Sequence, residues 1–299
     1  YNNKFVSSEP DGQCINCHHY KNWETDQMMF HARQYLGGTV IINNGDMKRI
    51  NLKTDSTISA GVYPAWHPTH NYIAFSTNKT RQSVHTNNNN RIEVFDTESD
   101  LILYNIDKNS VSIVENDTAE FECFPAWTPD GKTLYYVSAH FDYGFGSDRE
   151  EYIVKNHKSI HYNLYKKSFN PETAAWGKPE LVYDAASEDR SITLPRVSPD
   201  GRYLLFTMGD YGVFHIWHKD ANLYLMDLQN GSTRELSEIN SRDVESYHSW
   251  SSNGKWIIFS TRRDDGGFTR LYLSHLGEDG KFTKAFPIPQ QSPDYSTNF

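Results

Sequence analysis

Two thiols and an imidazole stand close together near the start of the chain, in Cys14-Ile15-Asn16-Cys17-His18. That spacing is the attachment pattern of a covalent c-type heme, in which both thiols bond to the vinyl groups and the adjacent His becomes an axial iron ligand. Met28, Met29 and His31 follow within reach as sixth ligands. Composition predicts only about 0.001 chance matches to such a string. The same residues allow other chemistry. Cys14 and Cys17 can form a short-loop disulfide or stay reduced, and Cys14, Cys17, His18 and His31 could together ligate zinc. The flanking segments "SSEPDGQ" and "HYKNWETDQ" are polar, so the apolar surroundings of a heme would have to come from elsewhere in the chain.

A second set of chemistry-bearing residues is spread along the chain. His67, His140, His215, His218 and His248 fall at or beside apparent strand ends. Arg196 takes a position where related segments carry Ala65 and Ala126. Arg262, Arg263, Asp264 and Asp265 form a charged run suited to charge-assisted binding of an anion or a carbohydrate, or to a solvated hairpin. "GDYGVFHIWH", residues 209–218, mixes aromatic and polar groups as a binding lip or as ordinary aromatic packing.

These residues need a scaffold, and a repeat supplies it. "YPAWHPTHNYIAFS" from Tyr63, "FPAWTPDGKTLYYVS" from Phe124, "LPRVSPDGRYLLFT" from Leu194 and "YHSWSSNGKWIIFS" from Tyr247 share one pattern, with Trp66, Trp127, Val197 and Trp250 equivalent. Each copy reads as a strand, a tight turn in which Gly takes positive φ, and an apolar second strand. Third strands follow at "DLILYNID", "HYNLYKK", "ANLYLMDL" and "TRLYLSHL", and fourth strands at "SVSIV", "PELVY" and "STREL". Four short antiparallel strands per repeat make a propeller blade. "GGTVIINNGDMKRINLK", residues 37–53, is a weaker fifth copy, and "FPIPQ" near the C-terminus could return to close the ring. The expectation is an all-β propeller of four-stranded blades over 33–299, six-bladed with five as the alternative, behind a short irregular N-terminal arm over 1–32.

The repeat copies resemble those of TolB-like propellers, a WD40-like class. "CINCHHY", "FHARQYLGGTVI", "YHSWSSNGKWIIFSTRRDDG" and "FPIPQ" resemble more closely a group of exported TolB-like proteins of Bacteroidetes. The likeness extends over nearly the whole chain, although the first copy has Pro-Thr-His and the last Ser-Asn-Gly where Pro-Asp-Gly is usual. It implies a place in the cell envelope, in the periplasm or at the cell surface.

The bulk properties narrow the function. The 299 residues carry a net charge of −9 with no Lys/Arg block, which argues against a nucleic-acid partner. No run of 18 apolar residues occurs, so no membrane-spanning helix is expected. Gly-x-Ser-x-Gly is absent, and so is a Gly-rich phosphate loop. The expected function is a non-enzymatic envelope module that binds a protein, peptide or glycan at a propeller face. Arg196, His215, His218, His248, Arg262, Arg263 and Asp264 are its ligand-binding candidates, and Cys14, Cys17, His18, Met28 and His31 its heme c candidates. The alternatives are a metal-dependent oligogalacturonate-type lyase working in the channel and a heme c electron carrier.

Overall fold

Alternating apolar runs broken by Gly-containing turns fold into hairpins, and four strands in sequence give each sheet two apolar faces to bury. A computed structural model of the chain describes residues 15–33, 37–85, 92–142 and 148–291. Blade 1 contains β1 (Ile15–Tyr20), β2 (Gln27–Ala32), β3 (Gly38–Asn43) and β4 (Asp46–Ile50). Blade 2 contains β5 (Gly61–Trp66), β6 (Tyr72–Val84), β7 (Ile92–Asn105) and β8 (Ser110–Glu115). Blade 3 contains β9 (Glu120–Trp127), β10 (Thr133–His140) and β11 (Asn163–Asn170), with β12 (Ala175–Trp176) and β13 (Glu180–Tyr183) sharing its outer edge. Blade 4 contains β14 (Ser191–Val197), β15 (Tyr203–Gly209), β16 (Asn222–Asp227) and β17 (Thr233–Glu235). Blade 5 contains β18 (Glu245–Trp250), β19 (Trp256–Thr261), β20 (Arg270–His275) and β21 (Phe286–Pro287). Every neighbouring pair is antiparallel and each sheet is consecutive in sequence.

Five blades are present among the described residues, which is the alternative count. The long repeat spacing reflects insertions within blades. Phe286–Pro287 is the outer strand of blade 5, so that segment does not start a sixth. The N-terminal boundary also moves. From Ile15 onward the expected arm is already blade, because β1 and β2 supply the inner half of the sheet whose outer half is the weak copy at 37–53. Residues 1–14 lie outside the described residues.

Side chains on adjacent blades interlock near the axis. Trp127 Nε1 donates to Ala65 O at 3.0 Å, and Trp250 Nε1 donates to Arg196 O at 3.2 Å. Among the described residues the first and last blades meet without sharing a strand. Trp23 Nε1, in the β1–β2 turn, donates to Trp250 O at 2.8 Å, while Asn22 Nδ2 donates to Pro68 O at 2.7 Å. His67 is a wedge between blades. Its Nδ1 accepts from the Thr69 and His70 amides, so Nε2 is the donor to Gly131 O at 2.9 Å. A Cβ on Gly131 would fall 2.2 Å from that ring, and φ there is +69°. The Pro-Asp-Gly turn of blade 3 therefore needs its Gly twice over.

Candidate functional site

Each innermost strand carries a two-residue bulge. The bulged pairs are Cys17-His18, Tyr63-Pro64, Phe124-Pro125, Leu194-Pro195 and Tyr247-His248, each lying between the register shifts of its strand pair. The first residue of each pair has positive φ, at 52°, 48°, 53°, 54° and 46° in that order. Opposite each bulge sits one buried ring: Phe30, Phe75, Tyr136, Phe206 and Phe259. The extra residue leaves the ladder, so Pro loses nothing there. The Cys-His half of the heme-like motif is thus the blade 1 version of aromatic-Pro, and it places Cys17 on the propeller axis. Tyr63 and Phe124 pack there with centroids 4.3 Å apart. Burial pushes the Tyr63 and Tyr247 hydroxyls up, and Cys17 adds to both shifts.

Two residues beyond each bulge start come His19, Ala65, Ala126, Arg196 and Ser249. Burial, and then the Arg196 charge, push His19 down to about 3 and His248 down to about 3. His248 Nε2 donates to Leu205 O at 3.0 Å, leaving Nδ1 a buried acceptor without a partner, and His19 Nδ1 is likewise unpartnered. Burial also presses on the Arg196 guanidinium, which Tyr247 opposes. Sequence reasoning singled out Arg196 and His248 but missed His19 and Tyr247. Aligning "CHHY" with "YPAW" would have found them.

The connections between second and third strands all leave on one face of the ring, since all blades run the same way. The β6–β7 hairpin rises past its blade there. The β10–β11 connection carries α1 (Arg149–Asn156), capped by Asp148. These pieces are tied together. Arg81 and Lys79 of the hairpin pair with Glu150 of α1. Phe95 stacks on His157 at 5.1 Å. His218 Nε2 contacts Glu93 Oε1 at 2.8 Å, with Tyr211 donating to Glu93 Oε2 at 2.8 Å. His218 and Glu93 are both nearly inaccessible to solvent.

The sequence candidates therefore divide among separate places. Arg196 and His248 belong to the axis. His215 and His218 are buried in the blade 4 connection, where His215 Nε2 faces Tyr211 O and Gly212 O. Arg262 lies over Trp217 at 3.3 Å, so the charged run reaches this face through one residue. Arg263 instead bonds Glu245 at 2.9 Å and Ile239 O at 2.7 Å, and Asp264 accepts from Tyr272 at 2.7 Å. Both serve the packing of blade 5. Among the described residues no group of three or more His, Cys, Asp or Glu side chains is placed to hold a metal.

The heme candidates are also dispersed. Cys14 lies outside the described residues. His18 is exposed, edge-on to Tyr20 at 6.2 Å. Met28 and His31 are three apart on β2, so strand alternation points them to opposite faces of blade 1. His31 is buried toward blade 2 against Phe75, with Thr39 Oγ1 2.9 Å from its Nδ1. Burial and Arg33 push it down to about 4. Met28 and His31, the alternative sixth ligands, therefore lie on different sides of this sheet.

Five radial sheets of consecutive strands around an axis define a β-propeller. No family model matches the chain. Among solved structures it is similar to a TolB from Agrobacterium tumefaciens, at TM-score 0.58 and 10% identity, over 92% of this chain and 80% of that one. It is also similar to TolB from Acinetobacter baumannii, at TM-score 0.50 and 15% identity, over 95% of this chain but only 54% of that one. An oligogalacturonate lyase in complex with manganese matches at TM-score 0.57 and 9% identity, over 92% of this chain and 68% of the lyase. Likeness at these identities establishes the fold.

Proposed function

We propose that this propeller is a non-enzymatic binding module of the cell envelope, working in the periplasm or at the cell surface. It presents its insertion-built face to a protein, peptide or glycan partner. The observation that carries this reading is the cross-linking of insertions from three blades through Glu93, His218, Tyr211, Glu150 and His157. A face locked before binding loses little conformational entropy when a partner docks. Val84 and Val154 offer apolar contact on it, at 69% and 45% exposure. The similarity to TolB supports a protein partner and an exported protein.

The test is affinity capture from an envelope extract with cross-linking. The double variant Val84→Asp/Val154→Asp is expected to lose a partner that the native protein retains, at unchanged melting temperature. Equal recovery by both would sink the reading.

Heme attachment at Cys14 and Cys17 is a separate proposal, supported by the motif alone. Protein exported in a host with heme-attachment machinery is expected to gain one heme in intact mass and to show a two-thioether hemochrome band. An unmodified mass, or one short by two protons, overturns it.

A further inference from the structure

The Arg196 side chain is the one feature of the axis that the fold does not need. Its equivalents in other blades are small or neutral. Arg190, Arg202, Arg234, Arg263 and Arg270 each meet a carboxylate within ion-pairing distance. Arg196 meets none among the described residues. Among the described residues the hydrogen bond of its side chain is from Nη1 to the adjacent Pro195 O, at 2.9 Å. The backbone around it is fixed, since its own carbonyl is held by Trp250 and its strand pairs at Leu205. A half-buried guanidinium is costly unless an anion completes it. The neighbouring His19 imidazole adds unfilled hydrogen-bonding capacity at Nδ1. Solvent reaches this level, because Tyr247 is 40% exposed and His18 is exposed.

We infer that the propeller axis is a carboxylate-binding site in which the fork of Arg196 receives the acid group, beside Tyr247 and His19. A planar fork matches a planar carboxylate through two parallel N–H···O bonds. A compact acid or the end of a peptide carries such a group. This site is independent of the insertion-built face and stands or falls separately from it.

The experiment is a calorimetric titration of the intact protein with acetate, with Gly-Gly-Phe, with the amide of that tripeptide, and with sulfate. Binding of acetate but not the tripeptide assigns small free acids. Binding of the tripeptide but not its amide assigns a chain end. Both outcomes support the site. Arg196→Gln is expected to weaken the acid that binds by about tenfold or more, and Arg196→Lys to weaken it measurably because the fork is lost. Arg196→Gln should melt no lower than the native protein, since it removes an uncompensated charge. Three results would overturn the inference: no heat with either acid, sulfate binding as well as the acids, or unchanged affinity in Arg196→Gln.

Discussion

Phe206→Ala is expected to cost about 3–5 kcal/mol of stability. Phe206 has no exposed surface and lies opposite the Leu194-Pro195 bulge. It belongs to the largest apolar cluster, which joins blades 3 and 4, and it stacks on Tyr224 at 6.0 Å. Truncation removes the ring's transfer energy and opens a cavity under a bulge whose Leu194 already holds φ at 54°. A domain of ordinary stability, about 5–15 kcal/mol, would lose a large share of it. The urea midpoint should fall while the slope of the transition stays the same. A loss below about 1 kcal/mol would mean that the bulge is supported by its backbone and not by the ring beneath it.

The second large effect is one of pH. Burial, then Asp100 and Glu115, push Glu122 up to about 9, while burial and Glu98 push Asp100 up to about 6 against the pull of Arg149. Glu122 Oε2 is buried without a hydrogen-bond partner. A carboxyl raised in the folded state contributes its full stability below its unfolded pKa. That contribution is lost as pH rises, because the unfolded chain ionises first. Each unit in the window is worth about 1.4 kcal/mol. Glu122's share of the stability should therefore fall steadily from about pH 4.5 toward pH 9, while His19, His31 and His248, pushed down in the fold, add stability as pH rises toward 6.5. Glu122→Gln keeps a neutral group, and its amide can donate toward the surrounding carboxylates. It is expected to be about 2–3 kcal/mol more stable than the native protein near pH 7 and equal to it near pH 4.5. Urea midpoints at pH 5 and pH 8 measure this. Parallel pH profiles for the two proteins would show that water or a neighbouring group already compensates the charge.

Blades 2 to 5 were legible because each repeats aromatic-Pro or an equivalent, a Trp or Val, and a tight turn at fixed offsets. Blade 1 was not. Cys17-His18 replaces aromatic-Pro, and Tyr20 replaces Trp, so the inner strands hid behind a motif that suggested redox chemistry. Backbone geometry recovers the equivalence, since all five bulge residues share one region of φ. The helix α1 lies inside an insertion between strands, where only Asp148 and the acidic first turn mark its start. The axial cluster was half seen. Arg196 and His248 stood out as departures from their own repeats, but which residues face them depends on a ring that closes between positions more than 200 apart in sequence.

That seam has a consequence for how the chain acquires its shape. Within each blade the pairing is local, so a sheet can form as soon as its own segment has emerged. The bond from Trp23 to Trp250 joins residues 227 apart. The first blade must therefore wait, with one apolar flank uncovered, until the last has been delivered. During that interval the nascent protein is an open arc with two sticky ends, and an arc can meet a second arc as readily as its own tail. Whatever shields blade 1 while the rest of the chain arrives decides whether the product is one ring or a joined pair.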